Sequence, residues 1–119
     1  FSFILYGKPG IGKTSIANAI VNELGVMHRF LNATINKKTD FDIVVEEAKM
    51  NGELILIIDE IHRMNKDKQD LLLPYIESGL IILIGLTTSN PYHKINPAIR
   101  SRVQIFELHD LTPKEIVLG

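Results

Sequence analysis

The stretch Gly7-Lys8-Pro9-Gly10-Ile11-Gly12-Lys13-Thr14 follows the pattern G-x-x-x-x-G-K-[ST], directly after the short apolar run Phe3-Ile4-Leu5-Tyr6. No other part of the chain restricts the fold as much. The pattern works only where a buried strand delivers the loop and a helix leaves it. Glycines let the backbone turn tightly and bring its N–H groups against phosphate oxygens. Lys13 then sits in the first turn of a helix, against the macrodipole, unless an anion offsets both positive charges. The helix is predicted from Ile16, Ala17, Ile20, Val21 and Leu24, with Gly25 as its stop. In this reading Lys13 reaches the terminal phosphates and the Thr14 hydroxyl holds Mg²⁺. Four fixed positions match by accident in roughly one chain in a few hundred of this size, so a chance loop is the weaker reading.

Composition mainly excludes. At 119 residues the chain is one domain with a modest core, and 45% hydrophobic content with mixed charge marks a globular protein. A formal net charge of −1 gives no global basic footprint for nucleic acid, though a local basic site remains open. With no cysteine there are no disulfides or thiolate metal sites. His28, His62, His93 and His109 show no metal-ligand spacing. The longest apolar stretch, Leu80 to Leu86, is too short to span a bilayer, and a cytoplasmic location without membrane contact is the expectation.

Apolar runs alternate with helical patterns, which predicts an α/β domain around a mostly parallel sheet. A second strand is expected near Arg29 to Ala33. Thr39 and Asp42 read as a capping box for a helix with Phe41, Val44, Val45 and Ala48 on one face, ended by Asn51-Gly52. Leu54 to Ile58 has the pattern of a central strand covered on both faces. Asn65 caps a third helix carrying Leu71, Leu72 and Ile76, which Pro74 is expected to kink or split. Strands over Leu80 to Leu86 and Val103 to Leu108 flank a short helix around Pro97 to Ser101. Thr112-Pro113-Lys114-Glu115 is a strong helix start followed by only four residues. The chain is therefore expected to be a piece cut at both ends.

Asp59 and Glu60 stand where the strand pattern Leu54 to Ile58 ends. In parallel α/β sheets ligands bind at the carboxyl ends of the strands, the edge where the phosphate loop also lies. Two adjacent carboxylates there are costly to desolvate without a cation. Asp59 thus reads as a holder of Mg²⁺ and Glu60 as the base that polarises an attacking water. An acidic turn after a strand is the plainer alternative. Thr87-Thr88-Ser89-Asn90 end the next strand pattern and offer groups for a γ-phosphate or the water, or simply a turn. Arg100 and Arg102 precede the fifth strand, and either a phosphoryl-stabilising or a solvated role fits an arginine there. His62 reads as a structural or interface hydrogen-bonder, since Glu60 already fills the base role. Lys37-Lys38 and Lys66 to Lys68 are candidates for DNA phosphates, with solvated charge the plainer account.

The phosphate loop, Ile57-Ile58-Asp59-Glu60, Thr87-Thr88-Ser89-Asn90 and Ser101-Arg102 stand in the order and spacing of the AAA+ ATPases, which the chain resembles. Asp59-Glu60-Ile61-His62-Arg63-Met64-Asn65-Lys66 through Gln69-Asp70 and Leu73-Pro74 narrows the likeness. Together with Ile84 to Pro91 and Asn96-Pro97-Ala98, it closely resembles the RarA/MgsA family of replication-associated recombination ATPases, related to clamp loaders. The likeness is weakest from Gly25 to Gly52.

This resemblance implies a P-loop NTPase fold: an AAA+ core with a five-stranded parallel sheet sandwiched by helices, over residues 1–119. It implies ATP and Mg²⁺ as cofactors, with Gly7, Pro9, Gly10, Ile11, Gly12, Lys13, Thr14 and Ser15 on the nucleotide, and Thr14 and Asp59 on the metal. Glu60 is implied as the catalytic base, Thr88 as the sensor with Asn90 a second candidate, and Arg102 as the arginine finger reaching a neighbouring subunit. Lys8, Ile11, Ser89 and Arg100 depart from the commoner family residues. Ser89 and Arg100 bear on the choice of sensor and finger. The family continues into a helical lid and a C-terminal oligomerisation region, neither of them expected within these residues.

The implied function is ATP hydrolysis driving DNA replication, recombination and repair at stalled forks. The expected partners are a homo-oligomer of the full-length protein, fork or junction DNA, and replication proteins. The rivals are a Holliday-junction branch-migration helicase subunit and a clamp-loader subunit using ATP as a structural switch. A DExH-type helicase expects a Ser-Ala-Thr motif that Thr87-Thr88-Ser89-Asn90 does not match. A small-molecule kinase lacks an evident second-substrate pocket.

Overall fold

The computed structural model describes residues 1–9 and 12–108. Gly10, Ile11 and the helix start at Thr112 to Glu115 lie outside the described residues. Five strands, β1 (Phe3–Tyr6), β2 (His28–Asn32), β3 (Leu54–Asp59), β4 (Ile81–Thr87) and β5 (Gln104–Glu107), form one parallel sheet in the order β2-β3-β4-β1-β5. They alternate with helices α1 (Lys13–Leu24), α2 (Lys38–Asn51), α3 (Lys66–Ser78) and the single turn α4 (Pro97–Arg100).

The unbroken apolar run of β3 explains its central place. Leu54, Leu56 and Ile58 pack on one face with Phe41, Val44, Val45 and Ala48 of α2 and Leu72 and Ile76 of α3. Ile55 and Ile57 point the other way, toward Ala17 and Val21 of α1. These five side chains are fully buried. At roughly 1.5–3 kcal/mol for each buried aliphatic side chain, this strand anchors both halves of the core. The outer strands β2 and β5 are mostly exposed, as edges are.

Register places the functional ends together. Tyr6 pairs with Thr87, Ile58 with Gly85 and Asn32 with Asp59. The Gly7 N–H, first of the phosphate loop, donates to the Thr87 carbonyl at 3.1 Å. The carboxyl ends of β1, β3 and β4 thereby form one continuous rim.

Two local expectations are corrected. Helix α2 begins at Lys38, so Thr39 is not its cap. The Asp40 carboxylate accepts from the Lys37 N–H at 2.9 Å and from the Asn36 amide at 3.1 Å, and this earlier acid starts the helix. Pro74 does not split α3, which runs unbroken from Lys66 to Ser78. Pro74 and Asp70, whose carbonyl loses its usual partner, both lie on the exposed side, where water can satisfy that carbonyl. Asn65 caps this helix as expected, its side chain accepting from the Lys68 N–H at 2.9 Å.

Candidate functional site

A cleft of roughly 350 Å³ opens on this rim. Pro9, Gly12, Lys13, Thr14 and Ser15 line it from the loop and α1, Asp59 and Glu60 from the end of β3, and Thr88 from beyond β4. Gly12 holds φ 91°, a left-handed conformation that leaves glycine as the natural occupant. A Cβ on Gly7 would stand 2.6 Å from the Leu108 carbonyl oxygen. Gly7 therefore serves the close approach of Leu108, the residue just after β5.

The electrostatics of the loop end favour an anion. Lys13 is only 8% exposed, and among the described residues it forms no ion pair. Its ammonium donates to the carbonyls of Gly7 (2.9 Å) and Lys8 (3.0 Å), both dipoles of its own loop. Helix α1 has no side-chain cap and no acid in its first turn, so its N–H groups add to the positive field. A buried ammonium beside an uncapped helix N-terminus is offset most simply by phosphate.

Facing it, the Asp59 carboxylate accepts from the Glu60 N–H at 2.9 Å. Glu60 has φ 54° and ψ 41°, the one non-glycine with positive φ among the described residues. Such a backbone costs on the order of 1 kcal/mol and persists where surrounding structure imposes it. Ile61, fully buried, supplies that constraint. It packs over Gly85 of β4, where a Cβ would stand 2.7 Å from the Ile61 side chain. A glycine inside a strand signals such an approach, and this signal was available in Ile84-Gly85-Leu86.

The one-turn 3₁₀ helix Ile61–Arg63 then aims His62 back at the site. His62 Nδ1 lies 2.6 Å from Thr87 Oγ1, and Nε2 lies 3.4 Å from Glu60 Oε2. Burial pushes the imidazole below its ordinary pKa of 6.5, with Arg63 and Lys94 adding to the shift and Glu60 and Asp59 opposing it. The sequence alone suggests for His62 a structural or interface hydrogen-bonding role. The spacing of Asp59-Glu60-x-His62 was the signal that it shares the rim.

The remaining candidates separate. Thr88 is exposed into the cleft, whereas Thr87 is 1% exposed and held beneath it. Asn90 is not among the residues lining the cleft, and its side chain accepts from the Tyr92 N–H at 2.9 Å. Arg100 turns into its own fold, with Nε on the Ile95 carbonyl at 3.2 Å and its guanidinium over the Tyr92 ring. Arg102 pairs with Glu77 at 2.7 Å and donates to Ala98 O and Ser101 Oγ, both at 2.9 Å. It precedes the amino end of β5, while the cleft lies at the carboxyl ends of the strands, roughly 13 Å along a four-residue strand. Arg102 is thus far from the cleft of its own chain. Lys68, a candidate for DNA, donates to the Asn36 carbonyl at 3.0 Å and sits over the Phe41 ring.

The donor set suits Mg²⁺. Thr14 and Asp59 present hard oxygens to one cleft, and Asp59 has no ion pair among the described residues. No cluster of three or more His, Cys, Asp or Glu is gathered among those residues. A cation that takes one or two protein oxygens and completes its shell with water and phosphate fits this arrangement. Among the described residues, no helix is long and apolar enough to cross a membrane.

Residues 3–111 match the ATPase family associated with various cellular activities (AAA). The chain is 66% identical over 115 residues to replication-associated recombination protein A of Bacillus subtilis, covering 97% of this chain and 27% of that protein. It is 44% identical to the ATPase WRNIP1 of Dictyostelium discoideum, covering 97% of this chain and 14% of that one. Among solved structures, the Thermotoga maritima RuvB Holliday junction branch migration motor superposes with a TM-score of 0.77 at 32% identity, over 97% of this chain and 40% of that one. The chain thus spans about a quarter or less of the length of these curated relatives.

Proposed function

The chain belongs to the AAA family of ATPases, and from that premise we propose that residues 1–119 are an AAA+ core that binds and hydrolyses Mg·ATP at the β1–β3–β4 rim. One observation carries the reading: Lys13, Thr14, Asp59 and Glu60, far apart in sequence, line the same cleft. The loop backbone, Lys13 and Ser15 hold the phosphates, and Thr14 and Asp59 hold the metal. Bound there, Mg²⁺ neutralises charge on the phosphate oxygens. Glu60 takes the proton of the attacking water. Thr88, facing the cleft, is the better placed sensor, since Asn90 caps its own turn. Arg102 serves the cleft of an adjacent copy, because its own cleft lies at the opposite end of the sheet.

The work driven by hydrolysis is remodelling of DNA or DNA–protein assemblies during replication-associated recombination, by a homo-oligomer in the cytoplasm. The 66% identity to the Bacillus subtilis protein supports this over the rival readings. A Holliday-junction motor is the second reading, supported by the RuvB likeness at 32% identity. Measuring which DNA stimulates hydrolysis by the full-length protein separates them. Stimulation by forked or single-strand/double-strand ends supports the first, and stimulation confined to four-way junctions supports the second. The ATPase assignment itself is tested by Glu60→Gln, which should bind ATP with parental affinity and release no phosphate. Steady hydrolysis by that variant removes Glu60 as the base.

A further inference from the structure

The geometry points to His62 as a positioning residue that fixes the Glu60 carboxylate and ties it to the buried end of β4. The inference rests on the reading of Glu60 as the base. Glu60 leaves β3 in a left-handed backbone conformation, and its side chain is 33% exposed, so nothing in its own strand fixes where the carboxylate points. His62, with a side chain 8% exposed, is the group in reach: Nε2 lies 3.4 Å from Glu60 Oε2. The imidazole is itself held from behind by Thr87 Oγ1, 2.6 Å from Nδ1. Thr87 in turn accepts from the Ser89 N–H at 3.0 Å, and its carbonyl accepts from the N–H of Gly7 in the phosphate loop.

Donor and acceptor counting gives this chain one direction. A carboxylate only accepts, so the proton of a neutral imidazole belongs on Nε2, facing Glu60. Nδ1 is then an acceptor and, at 2.6 Å, takes the Thr87 hydroxyl hydrogen in preference to the Ser89 carbonyl at 3.2 Å, while the Ser89 N–H fills an oxygen lone pair of the same hydroxyl. Each donor points toward Glu60. The path joins the phosphate loop, the strand that leads into Thr88, and the base. Ile61, keyed over Gly85, keeps the 3₁₀ turn in register with β4 so that this contact is made.

A merely structural histidine would tie the turn to the sheet, and its loss would lower stability or weaken nucleotide binding. A positioning histidine acts on turnover. The test is steady-state hydrolysis of Mg·ATP by the full-length protein, with ATP affinity measured in parallel. His62→Ala should lower kcat roughly tenfold or more with KM and ATP affinity within about twofold, the pattern of an interaction made in the transition state. Thr87→Val, which removes only the hydroxyl's hydrogen bonds, should show the same split, and Thr87→Ser should recover the rate. The double variant His62→Ala/Thr87→Val should be no slower than the slower single one, because residues acting as a unit are not additive. If His62→Ala is too unstable to assay, Thr87→Val and Thr87→Ser carry the test alone.

A His62→Ala kcat within twofold of the parent overturns the inference, as do losses that multiply in the double variant. Glu60→Gln separates the two levels. If it abolishes turnover while His62→Ala does not, only the positioning role falls. If Glu60→Gln hydrolyses at the parental rate, the reading of the base falls and the inference with it.

Discussion

At the carboxyl edge of the sheet, Lys13, Thr14, Asp59, Glu60 and Thr88 face one cleft, their backbones held by register between β1, β3 and β4. Near the opposite edge, Arg102 stands on the surface, paired to Glu77 and to its own turn. The two regions have complementary chemistry, a phosphate cradle and a charge suited to a transferring phosphoryl group, yet one chain cannot bring them together. The difference teaches that the fold gathers the holding half of the site within a protomer and leaves Arg102, the proposed finishing cation, on the surface. If Arg102 is the finger of an adjacent copy, as proposed, hydrolysis depends on assembly.

The comparison can be broken at either region. Lys13→Ala should have the largest effect, because it removes a buried cation that lines the cleft; ATP binding by the full-length protein should be lost, and unchanged affinity measured by calorimetry would sink the cradle. Arg102→Ala should slow turnover of the assembled protein by on the order of 10³ while leaving ATP affinity intact. A rate near the parental one would return Arg102 to the status of a solvated side chain. Thr88→Ala should cost roughly tenfold in kcat and Asn90→Ala almost nothing, since only Thr88 faces the cleft. Equal losses in phosphate-release assays would erase that distinction.

The smallest effect is on stability. Because burial lowers the folded-state pKa of His62, its neutral form contributes stability that is full above pH 6.5 and is lost as pH falls toward the depressed value. Thermal melts on either side of pH 6.5 should show a shallower acid-side decline for His62→Gln than for the parent. Identical slopes would mean that the imidazole titrates as if exposed.

Much of the holding half was legible in the sequence because its signals are local. The glycine-lysine-threonine loop, the apolar run Leu54 to Ile58 and the acids after it are patterns read within a few residues. The rest depends on a third dimension. Whether Thr87 or Thr88 enters the cleft turns on the pleat, where one residue reverses the face, and strand β4 runs one residue beyond its expected end. Arg100 and Arg102 are chemically alike as letters, and their surroundings separate them: the Tyr92 ring and the Ile95 carbonyl engage Arg100, while Glu77 and the Ala98 carbonyl engage Arg102. The letters at Pro74 predict a kink or a split, and its solvent-facing position in the continuous helix α3 has no sequence signature. The contact of His62 with Thr87 joins residues 25 apart and needed the register of β3 against β4.

The most direct test of a site divided between copies is to mix subunits. Arg102→Ala protein and Glu60→Gln protein should each be inert, and mixing them should restore ATP hydrolysis. The mixture creates clefts in which an intact Glu60 of one subunit meets an intact Arg102 of the other. Two inert populations that stay inert at every mixing ratio, while forming mixed oligomers, would contradict it.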